Sequence, residues 1–235
     1  MKKIIFSMLL FFLWTQTGYA HHLWVVKEDG KFTVARGHMP DRFDAYSPEC
    51  VKEVKAFDKN GNLLSPERKD EETRAVFVSD KDAAMITVRC DWGFRVNTTQ
   101  GKKLISRKEA QDQGLKVIKA FFPTQFLKSV FGNSEGITKP AGLKLELIPL
   151  KNPFLSSPEE LLPVELRFDG NPLADAALSY EGASEEIKTD KNGIAMIKIP
   201  EKGIRMIFAS HKMPVTNNPE MDYHLFTTFL VIEGE

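Results

Sequence analysis

A chain of 235 residues is long enough for one large domain or two of about 100 residues, and either can bury a core. Its 32 basic and 32 acidic residues balance and no Lys/Arg cluster stands out, which argues against a nucleic-acid partner. No G-x-S-x-G elbow, H-E-x-x-H helix or P-loop occurs, so hydrolase and nucleotide chemistry find no support.

Residues 1–20 read as an export signal: Lys2 and Lys3, the apolar run Ile4 to Trp14, then Thr15 to Ala20 with small residues at Gly18 and Ala20. The run is too short to span a bilayer, which needs about 20 apolar residues, and no later stretch approaches that length. The expected product is periplasmic, with no stable membrane insertion after cleavage. Cleavage after Ala20 makes His21 the new terminus, crowding an α-amine and two imidazoles into His21 and His22. Amine and rings lose protons near neutral pH, leaving lone pairs for a borderline divalent cation. Two chelates are open: His21 through its amine and its own Nδ1, or His22 through the amine, the intervening amide and its ring. Both suit nickel, cobalt, copper or zinc. The plain alternative is a pair of solvated histidines without a role.

Leu23 to Lys27 and Phe32 to Arg36 read as strands around an Asp29-Gly30 hairpin turn. Counting outward from that turn sets Gly37-His38 opposite the terminus, so His38 becomes the natural third nitrogen ligand. Asp41, Asp44 and Glu49 follow as oxygen ligands or as partners that orient an imidazole. Val51 to Phe57 alternates like a strand and runs into the turn Asp58-Lys59-Asn60-Gly61. Ser65 to Thr73 reads as a charged loop, and strands resume at Arg74 to Val78 and Ala84 to Asp91. Trp92 and Phe94 either mark a ligand face or pack as ordinary strand formers. Cys50 and Cys90 are the only cysteines, and an oxidising compartment makes a disulfide between them the default. Thiolate ligation is the alternative, without CxxC spacing behind it.

Ser106-Arg107-Lys108-Glu109 matches a capping box, and Leu115, Ile118 and Phe122 recur at helical spacing until Pro123. A second short amphipathic piece is expected at Phe126-Leu127 with Val130-Phe131. Residues 132–142 have linker composition, which divides the chain into a signal at 1–20, a β-rich domain with helix at 21–135, and a second domain at 136–235. The second domain reads as seven short strands: Leu143 to Leu150, Leu162 to Phe168, Ala176 to Tyr180, Glu185 to Thr189, Ile194 to Ile199, Ile204 to Ser210 and His224 to Ile232. That spacing is the pattern of an immunoglobulin-like sandwich. The fold class expected is therefore mainly β: two β-sandwich domains, the second immunoglobulin-like, with one or two short helices in the first. His211 ends one strand and His224 begins the next, with Met213 and Met221 between them, so antiparallel pairing brings a second group of soft or nitrogen donors together. Alternatively His211 turns toward the first domain and completes the terminal site, or these residues simply pack.

Taken in order, GHMPDRFDAYSPECVKEVKAFDKNGN, GKKLISRKEAQDQGLKVIKAF, LKLELIPLKNPF, LLPVELRFDGNPLADAALSY and TDKNGIAMIKIPEKGIRMIFASHK carry a resemblance across nearly the whole processed chain. They resemble the exported domain-of-unknown-function family known as the periplasmic component of cobalt/nickel uptake systems of the energy-coupling-factor type. The resemblance implies a histidine directly after signal cleavage, a glycine-histidine pair, and a histidine after the penultimate strand, which here are His21 or His22, Gly37-His38 and Ser210-His211. Family members carry a further histidine or glutamate soon after the glycine-histidine pair, where this chain has Asp41, Arg42 and Asp44. The implied function is a non-enzymatic accessory that captures nickel or cobalt and passes it to a membrane-embedded transporter. Two other classes compete: a copper-binding protein or oxidative enzyme built on the terminal histidine chelate, and a metal-free envelope β-sandwich module.

Overall fold

Hairpin turns fix the first sheet. The computed structural model describes residues 21–39, 42–79, 81–157, 160–180, 186–198 and 204–233, so the expected signal segment and Asp41 lie outside the described residues. Asp29 (φ 44°) and Gly30 (φ 76°) both take positive φ, the backbone of a tight two-residue hairpin, and join β1 (His22–Glu28) to β2 (Lys31–His38). The strands pair from Glu28↔Lys31 at the turn to His22↔Gly37 at the open end, as expected. β3 (Arg42–Phe43) returns along β2, and β7 (Val76–Val78) and β6 (Glu67–Arg68) complete this outer sheet in the order β1-β2-β7-β6. A short strand thus stands within the segment expected as loop.

A ten-stranded central sheet follows the order β16 (Ile187–Lys188), β15 (Ala177–Tyr180), β18 (Ile204–Pro214), β19 (Tyr223–Glu233), β11 (Val117–Val130), β8 (Met85–Asp91), β4 (Val51–Phe57) and β5 (Leu63–Leu64). β9 (Arg95–Thr98) and β10 (Gly101–Lys103) extend it beside β11. A third sheet contains β12 (Leu145–Pro149), β13 (Leu161–Phe168), β14 (Asn171–Pro172) and β17 (Ile194–Lys198). The fold is mainly β, with one α-helix among the described residues.

Alternation along the central strands makes two cores. Leu127, Met206, Phe229 and Val231 point to the outer sheet and pack with Leu23, Val25, Phe32 and Val34. Their neighbours Phe126, Ile207, Leu230 and Ile232 point the other way and pack with Leu145, Leu162, Val164 and Ile197 of the third sheet. The period of two therefore gives one sheet two buried faces. Its strands come from both sides of residue 136, joined where β11 lies parallel to β19. On the third-sheet side the fully buried Lys128 meets Glu146 at 2.6 Å, and that carboxylate also accepts from the amides of Ala141, Gly142 and Leu143.

The helical expectation needs correction. The capping box is real: Ser106 Oγ accepts from the Glu109 amide and the Glu109 carboxylate from the Ser106 amide, starting α1 (Arg107–Asp112). The helix stops there, with Gly114 at φ 71°; Leu115 precedes the fourteen-residue β11, while Ile118, Phe122 and the second expected piece at Phe126-Leu127 with Val130 lie within it. Pairing decided against periodicity, because β11 is bonded to β19 on one edge and to β8 and β9 on the other. Pro123 is tolerated in that position because β9 pairs as far as Phe121 and β8 only from Thr124. Its missing N–H falls in the gap, and its carbonyl accepts from the Trp92 amide at 3.1 Å.

The expected disulfide is absent. Cys50 and Cys90 are free thiols, and burial pushes both upward in pKa. Cys90 stands opposite Val51 in the β4/β8 ladder, and Cys50 lies one residue outside it, in the 3-10 turn Pro48–Cys50.

Candidate functional site

The open end of the first hairpin collects three imidazoles. Ring centres of His21 and His38 lie 5.4 Å apart, and those of His22 and His38 lie 5.9 Å apart. His22 reaches between the outer and central sheets against Phe208 and Phe229, at 5.9 and 6.3 Å. Its Nδ1 is buried and has no hydrogen-bond partner. His21 Nε2 stands 3.0 Å from Asp44 Oδ2, at ion-pair distance but off the line of a hydrogen bond. Glu49 is exposed on the neighbouring 3-10 turn.

Gly37 lets the chain bring Asp44 there. Its φ is +147°, and a Cβ in its place would lie 2.0 Å from the Arg42 carbonyl oxygen, so β3 can fold onto β2 only because residue 37 has no side chain. The Asp44 amide then donates to the Arg36 carbonyl at 2.7 Å. Tyr46 secures the same segment from below: its hydroxyl donates to the Val34 carbonyl (2.6 Å) and accepts from the Ala75 amide (3.0 Å).

A second set of contacts anchors His21 from the central sheet. Trp92 Nε1 donates to Gln125 Oε1 at 2.9 Å, and Gln125 Nε2 donates to the His21 carbonyl at 3.0 Å. The Arg36 guanidinium covers the Trp92 ring at 4.6 Å. Neither Gln125 nor Arg36 is expected from the sequence as part of the site, and Trp92 is weighed there only as an aromatic that marks a ligand face or packs. The available hint was the polar pair Thr124-Gln125 between Phe122-Pro123 and Phe126-Leu127, but no local rule links Gln125 to a residue 104 positions earlier.

Electrostatics favour the neutral form of His21 and His22. Burial, then the nearby Arg36, lowers the pKa of His21 below the usual 6.5, and the Asp44 carboxylate opposes this only in part. Burial and the neighbouring imidazoles lower that of His22. Neutral imidazoles have a lone pair to offer. Two imidazoles sharing one ion through metal–nitrogen bonds of about 2.1 Å hold their ring centres within roughly 6.5 Å. Both histidine pairs meet that limit, and the orphaned His22 Nδ1 is the donor atom an ion would satisfy. Among the described residues no three His, Cys, Asp or Glu side chains already stand at ligating positions, so closing on an ion takes side-chain rotation.

The other expected group does come onto one face by antiparallel pairing, but its rings pack on aromatic neighbours. β18 continues through Pro214, which pairs His211 with Phe226 and Met213 with His224. All four side chains share the third-sheet face, where His211 packs on Phe168 at 4.6 Å and His224 stacks on Phe226 at 5.6 Å. Lys144 spreads its ammonium over Phe168 and Phe226, and its charge, after burial, lowers the pKa of His224. Met221 is buried and Met213 packs against the third-sheet core. His211 does not complete the terminal site: the alternation that turns Phe208 toward His22 turns His211 to the opposite face. Phe94 packs edge-on against Phe122, and Trp92 is buried.

A family model described as Domain of unknown function (DUF4198) matches residues 18–213, a span that takes in His21, His22, His38 and His211. No curated protein and no solved structure matches the chain.

Proposed function

The chain belongs to the family described as Domain of unknown function (DUF4198), and from that premise we propose that it is an exported, non-enzymatic metal-binding accessory. After cleavage at Ala20 it captures nickel or cobalt in the periplasm and passes the ion to a membrane-embedded transporter. The observation that carries this reading is the meeting of His21, His22 and His38 beside Asp44, with one ring nitrogen buried and unpartnered. His21 and His22 supply the amine and ring donors, and His38 supplies a further imidazole. Nitrogen donors of this kind suit nickel, cobalt, copper and zinc, whereas a closed thiolate cage would hold its cargo too tightly for delivery. The bound ion would neutralise lone-pair repulsion within the imidazole group, and the protein's own part is to hold the rings near one another while leaving a side open for release.

Mass spectrometry of the exported protein is expected to place its first residue at His21. Titration calorimetry of that product should show one site for nickel or cobalt, lost on blocking the α-amine. A different first residue, or affinity unchanged by the block, would remove the terminal chelate. Preference for copper together with peroxide-dependent oxidation of a glycan would move the reading to an oxidative enzyme.

A further inference from the structure

The geometry points to Asp44 and Gln125 as positioning residues that commit His21 to a chelate through its α-amine and Nδ1, in preference to one through the His22 amide nitrogen. This inference rests on the metal-binding reading above and specifies which atoms of the terminus do the binding.

Three contacts carry it. Asp44 Oδ2 faces Nε2 of His21, not Nδ1. The negative charge of that carboxylate, 3.0 Å away, favours the tautomer with its proton on Nε2 and leaves Nδ1 bare, since a neutral imidazole protonates only one nitrogen. The bare Nδ1 is also the nitrogen nearer the backbone, where it closes a ring with the residue's own amine. Gln125, held by Trp92, fixes the carbonyl of the same residue at 3.0 Å. That carbonyl belongs to the peptide whose nitrogen the alternative chelate would have to use. Turning this peptide to face an ion would break the Gln125 contact and the end of the β1/β2 ladder at His22↔Gly37. His22 keeps its ring beside His38 and contributes through a side-chain nitrogen, with its amide left intact.

The two chelates predict different chemistry. An amide nitrogen binds nickel only after losing its proton, which gives a strong-field, square-planar, yellow, diamagnetic centre. Amine and imidazole donors alone leave nickel paramagnetic, pale, and with positions open to water. The choice therefore determines how readily the cargo leaves.

The test uses the processed exported protein with ¹⁵N-labelled histidine. Without metal, the His21 ring is expected to show protonated Nε2 and bare Nδ1, and Asp44→Asn should mix the tautomers while Asp44→Glu restores the original one. With nickel, the wild type should be pale and paramagnetic. Asp44→Asn and Gln125→Met should each weaken binding about 10- to 100-fold, with thermal melts confirming that both variants fold. A yellow diamagnetic nickel centre in the wild type would overturn the proposed chelate and leave the metal-binding function standing. If no metal binds, the function fails, and the tautomer spectra still decide the role of Asp44: Nδ1 protonated in the wild type, or no change in Asp44→Asn, would overturn it.

Discussion

Histidines stand on both sides of the central sheet, three at the end of the outer-sheet hairpin and two on the central strands themselves, and their surroundings differ. On the outer-sheet face, His22 meets His38, and His38 meets His21, with a carboxylate at the end of the row. On the third-sheet face, His211 and His224 are each packed against a phenylalanine, with an ammonium nearby. The residue type is the same in both places. What differs is whether the chain sets imidazole beside imidazole, with ring centres 5.4 and 5.9 Å apart, or imidazole against benzene. A histidine count alone cannot separate them.

The largest expected effect falls on the third-sheet face, where a buried ion pair contributes to stability. Lys128→Ala leaves the Glu146 carboxylate buried without its cation, a loss of roughly 3–5 kcal/mol by the precedent of broken buried pairs. Chemical denaturation should show that loss, and a shift near zero would mean that water reaches the pair. Gly37→Ala attacks the opposite face, because its Cβ would collide with the Arg42 carbonyl. A loss of about 2 kcal/mol or more is expected, along with weakened metal binding as Asp44 moves. Retention of both would show that β3 is not held by this glycine.

Next in size is the contrast between single histidines. His38→Ala should reduce nickel affinity about 100-fold, equivalent to about 2.7 kcal/mol, while His224→Ala leaves it within about twofold. Equal losses by calorimetry would contradict the contrast drawn between the faces. The smallest effect is that of pH. His21, His22, His211 and His224 all have folded pKa values lowered below 6.5, with burial the leading cause in each. Between the folded and unfolded values the unfolded chain binds more protons, so stability is full above about pH 6.5 and declines as pH falls through the lowered folded values. Melting temperatures between pH 7.5 and 5 should fall gradually, and His22→Phe should flatten the trend. A rise in stability on acidification would contradict the assigned direction.

Local chemistry was legible wherever a few neighbouring residues decide the outcome. Asp58 and Asp190 each accept the backbone amides two and four residues on, the second just past the DKNG turn, so the two turns share one hydrogen-bond pattern. The capping box at Ser106 was legible for the same reason. Residues 117–130 were not, because Leu115, Ile118 and Phe122 fit a helical stripe while the partners that make the segment a strand lie on β19 and β8, far along the chain. The site divides the same way. His38 could be found by counting from Asp29-Gly30, whereas the Trp92–Gln125 anchor could not be found by any count.

The sequence by itself determined the first hairpin, its register and hence the approach of His38 to His21 and His22, because a two-residue turn leaves only one way to pair its strands. Tertiary structure alone decided that β11 lies beside β19, that His211 and His224 face away from the terminal group, and that Gln125 reaches the His21 carbonyl. The physical reason is that β pairing satisfies backbone groups across any chain separation, so each distant pairing is selected by the burial of the whole sheet and leaves no mark on the neighbouring residues.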